Sequence, residues 1–190
     1  MVGSNYFGLV DRAEDSTIFI AAEAVGGFWS LPNDLTYVDD ILAEVKADLC
    51  VDQSRVELEG CSMGAAMVFN LMCARPGVFR AVVAHSGGGL PVPQTCEPVA
   101  YFSSLGQQEN TNPKGQAWNS DHFAELNGCT IDGLPSAPTG GHQCSDYQKC
   151  SAGHPTRWCP FDGGHTPAPK DSGQSESWMP DEVWQFLSQF

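Results

Sequence analysis

Residues 55 to 74 go from strand to helix with almost nothing between. Arg55 to Glu59 read as a strand, and Ser62 to Ala74 as an apolar helix ended by Pro76. The join is Gly60-Cys61-Ser62-Met63-Gly64, a G-x-S-x-G. A chain that reverses this sharply must fold the helix back over the strand it has just left. Glycines on either side let strand and helix pass close without Cβ clashes. A serine at the apex of such a turn is held in a strained conformation that lifts its hydroxyl above the sheet.

The rest of the chain repeats the alternation. Ser16 to Ala22 (STIFIAA) reads as a buried strand, followed by the loop Gly26 to Ser30. Asn33 or Asp34 caps a helix to about Leu49, with apolar positions at Leu35, Val38, Ile41, Leu42, Val45 and Leu49. Phe79 to His85 is a strand, then comes the glycine run Gly87 to Gly89, and Val99 to Ser103 is a further strand. Gly115 to Leu126 is a helix stopped by Asn127-Gly128. Thr156 to Phe161 is the last strand, and Asp181 to Phe190 a closing helix just after Pro180. Strands separated by helices predict an α/β architecture: a mainly parallel sheet with helices on both faces, in a single domain over residues 1–190. Residues 132–153, rich in Gly, Pro and Ser, form a cysteine-rich surface loop within it.

Charge narrows the partners. Nine Lys and Arg against 23 Asp and Glu leave a net charge of -14, a field that repels phosphate backbones and anionic lipid. Nucleic acid and membrane are therefore not expected as partners, and no apolar run approaches the roughly 20 residues that span a bilayer. The eight cysteines (Cys50, Cys61, Cys73, Cys96, Cys129, Cys144, Cys150 and Cys159) contain no CxxC pair of the kind zinc sites use. They predict disulfides instead, and with them an oxidising compartment. Cys129 and Cys159 flank the long loop, so at least one of them should bridge within it. Cys61, beside the serine, should be a buried free thiol. The opening residues lack a signal peptide's basic and apolar regions, so the expectation is that an N-terminal part with the first strands is missing.

A serine hydroxyl is a weak nucleophile until a base takes its proton and an acid orients the base. His165 lies in a polar loop straight after the last strand, at the carboxyl end of the sheet where Ser62 also sits. His85 ends a strand and is a candidate to lie near the site, but it, His122, His142 and His154 read as surface or structural. Glu109 is the carboxylate that follows the strand Val99 to Ser103, in the chain order serine, acid, histidine. The backbone N–H of Met63, opening the helix, faces a developing oxyanion. Phe28 and Trp29 are candidates to stack on an aromatic acyl group, with core packing the other reading.

Longer motifs carry a resemblance. They are Tyr37-Val38-Asp39-Asp40, Leu49 to Val56, the serine turn, Ala74 to Val82, Asp121-His122-Phe123 with Asn127-Gly128-Cys129, and Trp158 to Pro167. Through them the chain resembles the fungal feruloyl esterases and their polyhydroxybutyrate-depolymerase-like relatives of carbohydrate esterase family 1. The resemblance implies an α/β-hydrolase sandwich, secretion, and release of ferulate from arabinose side chains of xylan or from small hydroxycinnamate esters, with no metal and no cofactor. Acetylxylan esterase, polyester depolymerase and an inactive truncated hydrolase are the alternative readings. In the family an aspartate closes a His-Gly-x-x-Asp stretch where this chain has Leu105 to Glu109, and a His-Gly strand upstream supplies a second oxyanion N–H. Glu57 and Glu59 stand where relatives carry small or apolar residues. Buried carboxylates of that kind need partners, because an unpaired one costs several kcal/mol.

Overall fold

A computed structural model describes residues 5–31, 33–87, 96–109, 113–133 and 135–190, with side chains from Ser120 onward in the helix that begins at Pro113. Gly88 and Gly89 of the glycine run lie outside the described residues. In chain order the elements are α1 (Val10–Ala13), α2 (Leu35–Asp48), β1 (Glu57–Cys61), α3 (Met63–Ala74), β2 (Ala81–His85), β3 (Ala100–Gly106), α4 (Pro113–Leu126), β4 (Ser145–Asp146), β5 (Thr156–Phe161) and α5 (Met179–Leu187). The strands lie in the order β1-β2-β3-β5-β4. All neighbours are parallel except β4, which runs antiparallel to β5.

Burial on both faces explains why the central strands are mostly apolar or small, with the buried His85 at the end of β2 the main exception. Every residue of β2 and β3 is buried. On one face, α2, α3 and α4 cover Leu58, Val82, Ala84 and Tyr101. α3 is apolar nearly all round, with Ala65 to Phe69 and Leu71 to Cys73 buried. The other face carries Ala81, Val83, Ala100, Phe102 and Cys159, covered by Leu9 and by α5. That helix buries Met179, Val183, Phe186 and Leu187, a stripe at helical spacing, and it takes Pro180 into its first turn.

Two sequence expectations need correction. Ser16 to Ala22 is not a strand: it pairs with no strand among the described residues, and Ile18 and Ile20 stay 48% and 43% exposed. A β-branched run becomes a strand only where a sheet edge accepts its backbone hydrogen bonds. Here Ser16 is tied back to the Ala13 carbonyl, and Phe19 packs against the core under α5 and the Tyr6 ring. The elbow strand is also displaced, starting at Glu57, because Asp52 accepts from the Ser54 N–H at 2.9 Å and winds residues 53–55 into a single 3-10 turn.

The cysteines pair as Cys73–Cys96, Cys129–Cys150 and Cys144–Cys159. Both cysteines expected to anchor the long loop do so. Cys61 is free, as expected, although half-buried rather than fully buried. Among the described residues no helix is long and apolar enough to cross a membrane.

Candidate active site

Three parallel strands deliver three side chains to one end of the sheet. Ser62 follows the last residue of β1, Glu109 comes three residues after β3, and His165 four after β5. Ser62 has φ 57° and ψ -116°, a left-handed conformation that a non-glycine residue keeps only when its surroundings enforce it. The surroundings are visible. The Ser62 N–H donates to the His85 carbonyl at 2.9 Å, and its own carbonyl accepts from Ala66 in the first turn of α3. Gly60 is required for this approach, since a Cβ there would lie 2.3 Å from the Gly64 backbone. Gly64 faces open space, so the clearance is needed on one side of the motif only. Ser62 is exposed, and Met63 opens α3 immediately behind it.

The Glu109 and His165 loops are laced together. Gln107 N donates to Phe161 O and Gln108 N to Gly163 O, each at 2.9 Å. Gly106 packs so closely that a Cβ would stand 2.4 Å from the Gly163 carbonyl oxygen. This contact turns the Glu109 side chain inward, where it is buried. Its Oε1 accepts from the Gly106 N–H at 3.2 Å, and its Oε2 lies 2.9 Å from His165 Nδ1. The His165 ring remains 44% exposed while the carboxylate is fully covered. A buried acceptor on Nδ1 fixes the ring's orientation and leaves Nε2 as the nitrogen able to act as base.

The structure brings Glu109 and His165 into contact. No hydrogen bond joins Ser62 to His165 among the described residues, so the contact of roughly 2.6–3.2 Å through which the histidine would take the serine proton is not formed; such bonds commonly close only around substrate. The Cys61 thiol registers how near the elbow lies to the acid. Burial, then the Glu109 and Glu59 carboxylates, push its pKa up to about 12. Asp162, the other carboxylate near His165 in sequence, is engaged elsewhere. It accepts from Gly140 N and from the Gln108 amide, which together hold it below the usual carboxylate range.

Phe28 is 72% exposed, whereas Trp29 packs against the first core cluster and the Tyr37 ring at 6.5 Å. Among the described residues no hydrogen bond or ring contact joins either to the three residues above. A cavity of about 270 Å³ opens at the opposite, amino-terminal end of the strands, and it is lined by none of them. His142, Cys144 and Glu182 approach one another as metal ligands would, but the Cys144 sulfur is spent in its bridge to Cys159.

Sequence reasoning had flagged Glu59 as an anomaly and set His85 aside, yet the two meet. His85, fully buried, sets Nε2 2.8 Å from Glu59 Oε1 and Nδ1 2.9 Å from Ser104 Oγ. It also missed the role of the long loop, whose Gly140 takes Asp162 by its N–H and Ser172 by its carbonyl, gripping both ends of the segment that carries His165.

Known proteins resemble the chain over nearly its whole length. Feruloyl esterase C of Emericella nidulans is 36% identical over 191 residues, which cover 96% of this chain and 68% of that protein. The chain belongs to the feruloyl esterase family. A probable feruloyl esterase C of Aspergillus niger is 35% identical over the same shares, and feruloyl esterase D of Neurospora crassa 32% over 97% of this chain and 66% of its own length. No family model matches the chain. Its membership places it among carboxylic-ester hydrolases, with ferulate esters as the substrate class of its relatives.

Proposed function

We propose that this chain is a secreted feruloyl esterase that releases ferulate from the arabinose side chains of xylan, using Ser62, His165 and Glu109. The observation that carries the assignment of the residues is the fully covered Glu109 carboxylate 2.9 Å from Nδ1 of a solvent-facing His165, at the sheet end where Ser62 is held in its strained turn. His165 Nε2 takes the Ser62 proton as Oγ adds to the ester carbonyl. The oxyanion is met by the Met63 N–H, one of the unpaired donors at the start of α3. Collapse of the tetrahedral adduct breaks the bond to the sugar oxygen, which leaves with the proton from Nε2. Water, deprotonated by the same nitrogen, then cleaves the acyl-enzyme. Glu109 holds His165 through Nδ1 and stabilises the imidazolium that forms twice in the cycle.

Phe28, with most of its ring in solvent, is the aromatic we assign to stack on the hydroxycinnamoyl ring, while Trp29 supports it from the core. Secretion is favoured by the three disulfides. The test is hydrolysis of methyl ferulate by the parent and by Ser62→Ala and His165→Ala. Each variant should lose nearly all turnover, because members of such a set act as a unit. A Ser62→Ala protein that still hydrolyses methyl ferulate would overturn the assignment.

A further inference from the structure

We infer that His85 is a positioning residue for the nucleophile, acting through a buried Glu59–His85–Ser104 cross-tie beneath the active site. The inference rests on the reading of Ser62 as nucleophile. His85 is the last residue of β2, in register with Cys61 of β1 on one side and Ser104 of β3 on the other. Its ring reaches both flanking strands, at 2.8 Å to Glu59 and 2.9 Å to Ser104. Its carbonyl receives the Ser62 N–H at 2.9 Å, and the next residue, Ser86, donates its N–H to the Ser104 carbonyl. One residue therefore links the strand that carries the nucleophile to the strand that leads to Glu109.

Core building does not explain a histidine here. The other four residues of β2 are Ala or Val, and a buried polar group costs stability unless every partner is supplied. All the partners are present. A carboxylate at Glu59 can only accept, which puts a proton on Nε2 and leaves Nδ1 to accept the Ser104 hydroxyl. Phe7 and Phe102 close the sides of the ring at 5.9 and 6.0 Å. The chemistry matches a Ser-His-acid array, but Ser104 is 1% exposed and no ester can reach it. What this array can do is fix the His85 carbonyl. That carbonyl is one of the restraints holding Ser62 at φ 57°, and reacting groups misplaced by about 1 Å lose rate steeply.

The experiment compares Ser104→Ala, Glu59→Ala and Glu59→Gln in the full chain, reading kcat and KM for methyl ferulate alongside Tm. Ser104→Ala and Glu59→Ala should each lower kcat by roughly tenfold with KM within about twofold, since only alignment is disturbed. Glu59→Gln keeps an oxygen acceptor for Nε2 and should regain most of the loss seen in Glu59→Ala. Val83→Ala, a buried change on the same face of β2 outside the cross-tie, should lower Tm while leaving kcat at the parent value. Parent kcat in Ser104→Ala overturns the inference, as does a Glu59→Gln no better than Glu59→Ala, or a kcat that falls with Tm in Val83→Ala. If Glu59→Ala fails to fold, Ser104→Ala, which loses one hydroxyl, decides alone. Ser62→Ala in the same assay separates the two claims: inactive Ser62→Ala beside a fully active Ser104→Ala refutes only the positioning role.

Discussion

Replacing Gly106 by alanine probes the site through a single methyl group. Gly106 ends β3, and its backbone conformation admits any side chain, so the effect is one of space. The added Cβ would stand 2.4 Å from Gly163 O and 2.6 Å from Gly164 O, against 3.4 Å or more for ordinary contact. Both obstacles are backbone atoms of the segment that leads to His165, so no flexible side chain can swing aside. The loop must retreat by about 1 Å. Gly106 is also bonded to Glu109 twice, by its N–H to Oε1 and by its carbonyl to the Glu109 N–H. The retreat therefore opens the 2.9 Å contact between Glu109 and His165 rather than moving the two together.

A displacement of that size at reacting groups costs about 100-fold in rate. Overpacking at a buried backbone contact costs about 1–3 kcal/mol, which for a chain of this length lowers Tm by roughly 2–12 °C. Steady-state hydrolysis of methyl ferulate gives kcat, and calorimetry gives Tm. We expect kcat to fall by about two orders of magnitude with KM little changed. A Gly106→Ala protein that shows the fall in Tm but turns over within threefold of the parent would refute the claim that this contact sets the acid–base pair.

Three further outcomes follow from named contacts. Glu109→Gln should leave the fold intact and cut kcat severely, though less than Ser62→Ala, because a neutral amide cannot stabilise the imidazolium; parent-like turnover would remove Glu109 from the mechanism. Removing the Cys144–Cys159 bridge by a double alanine substitution opens a 15-residue loop, worth about 3 kcal/mol by the loop-entropy model, and should lower kcat as well as Tm because Gly140 grips the His165 segment. Glu57 is the pH-sensitive element: burial pushes its pKa from the ordinary 4.5 up to about 7 despite Arg55 and Arg80. Its folded-state proton is bound more tightly than in the unfolded chain, so its contribution is whole below pH 4.5 and is lost as pH rises through 7. Urea titrations should find Glu57→Gln close to the parent at pH 4 and about 1–3 kcal/mol more stable at pH 8, the range allowing for screening at a half-buried site.

Local chemistry was legible in the sequence. The turn at Ser62, the helix behind it and the strand Thr156–Phe161 stand where pattern and motif put them, because each is decided within a few residues. Position alone marks Glu109, as the carboxylate following a strand, and the fold sets it 2.9 Å from His165. Non-local facts were not. Whether Ser16 to Ala22 joins a sheet depends on an edge elsewhere in the chain, and β-branched composition cannot supply one. The 2.4 Å clearance at Gly106 exists only because residues 57 positions apart are brought to the same sheet end.

The histidines show what register adds. Among the described residues three of them bind a carboxylate: His165 with Glu109, His85 with Glu59, and His142 with Asp171. Nothing in the sequence ranks these pairs, because each partner arrives from another element. Accessibility ranks them. The His165 ring is 44% exposed beside a covered acid, so it can exchange a proton with a substrate. His85 has the same two kinds of neighbour, a carboxylate and a serine hydroxyl, at 0% exposure, so its hydrogen bonds can only hold strands. His142 is stacked on Trp178 at 4.0 Å and clamps Asp171 to the loop behind His165. Glu59 and His85, each unexplained when read singly, account for one another once the register of β1 on β2 sets Cys61 opposite His85. One histidine–carboxylate pair thus faces solvent at the sheet end that carries Ser62, and the other two hold the elements that present it.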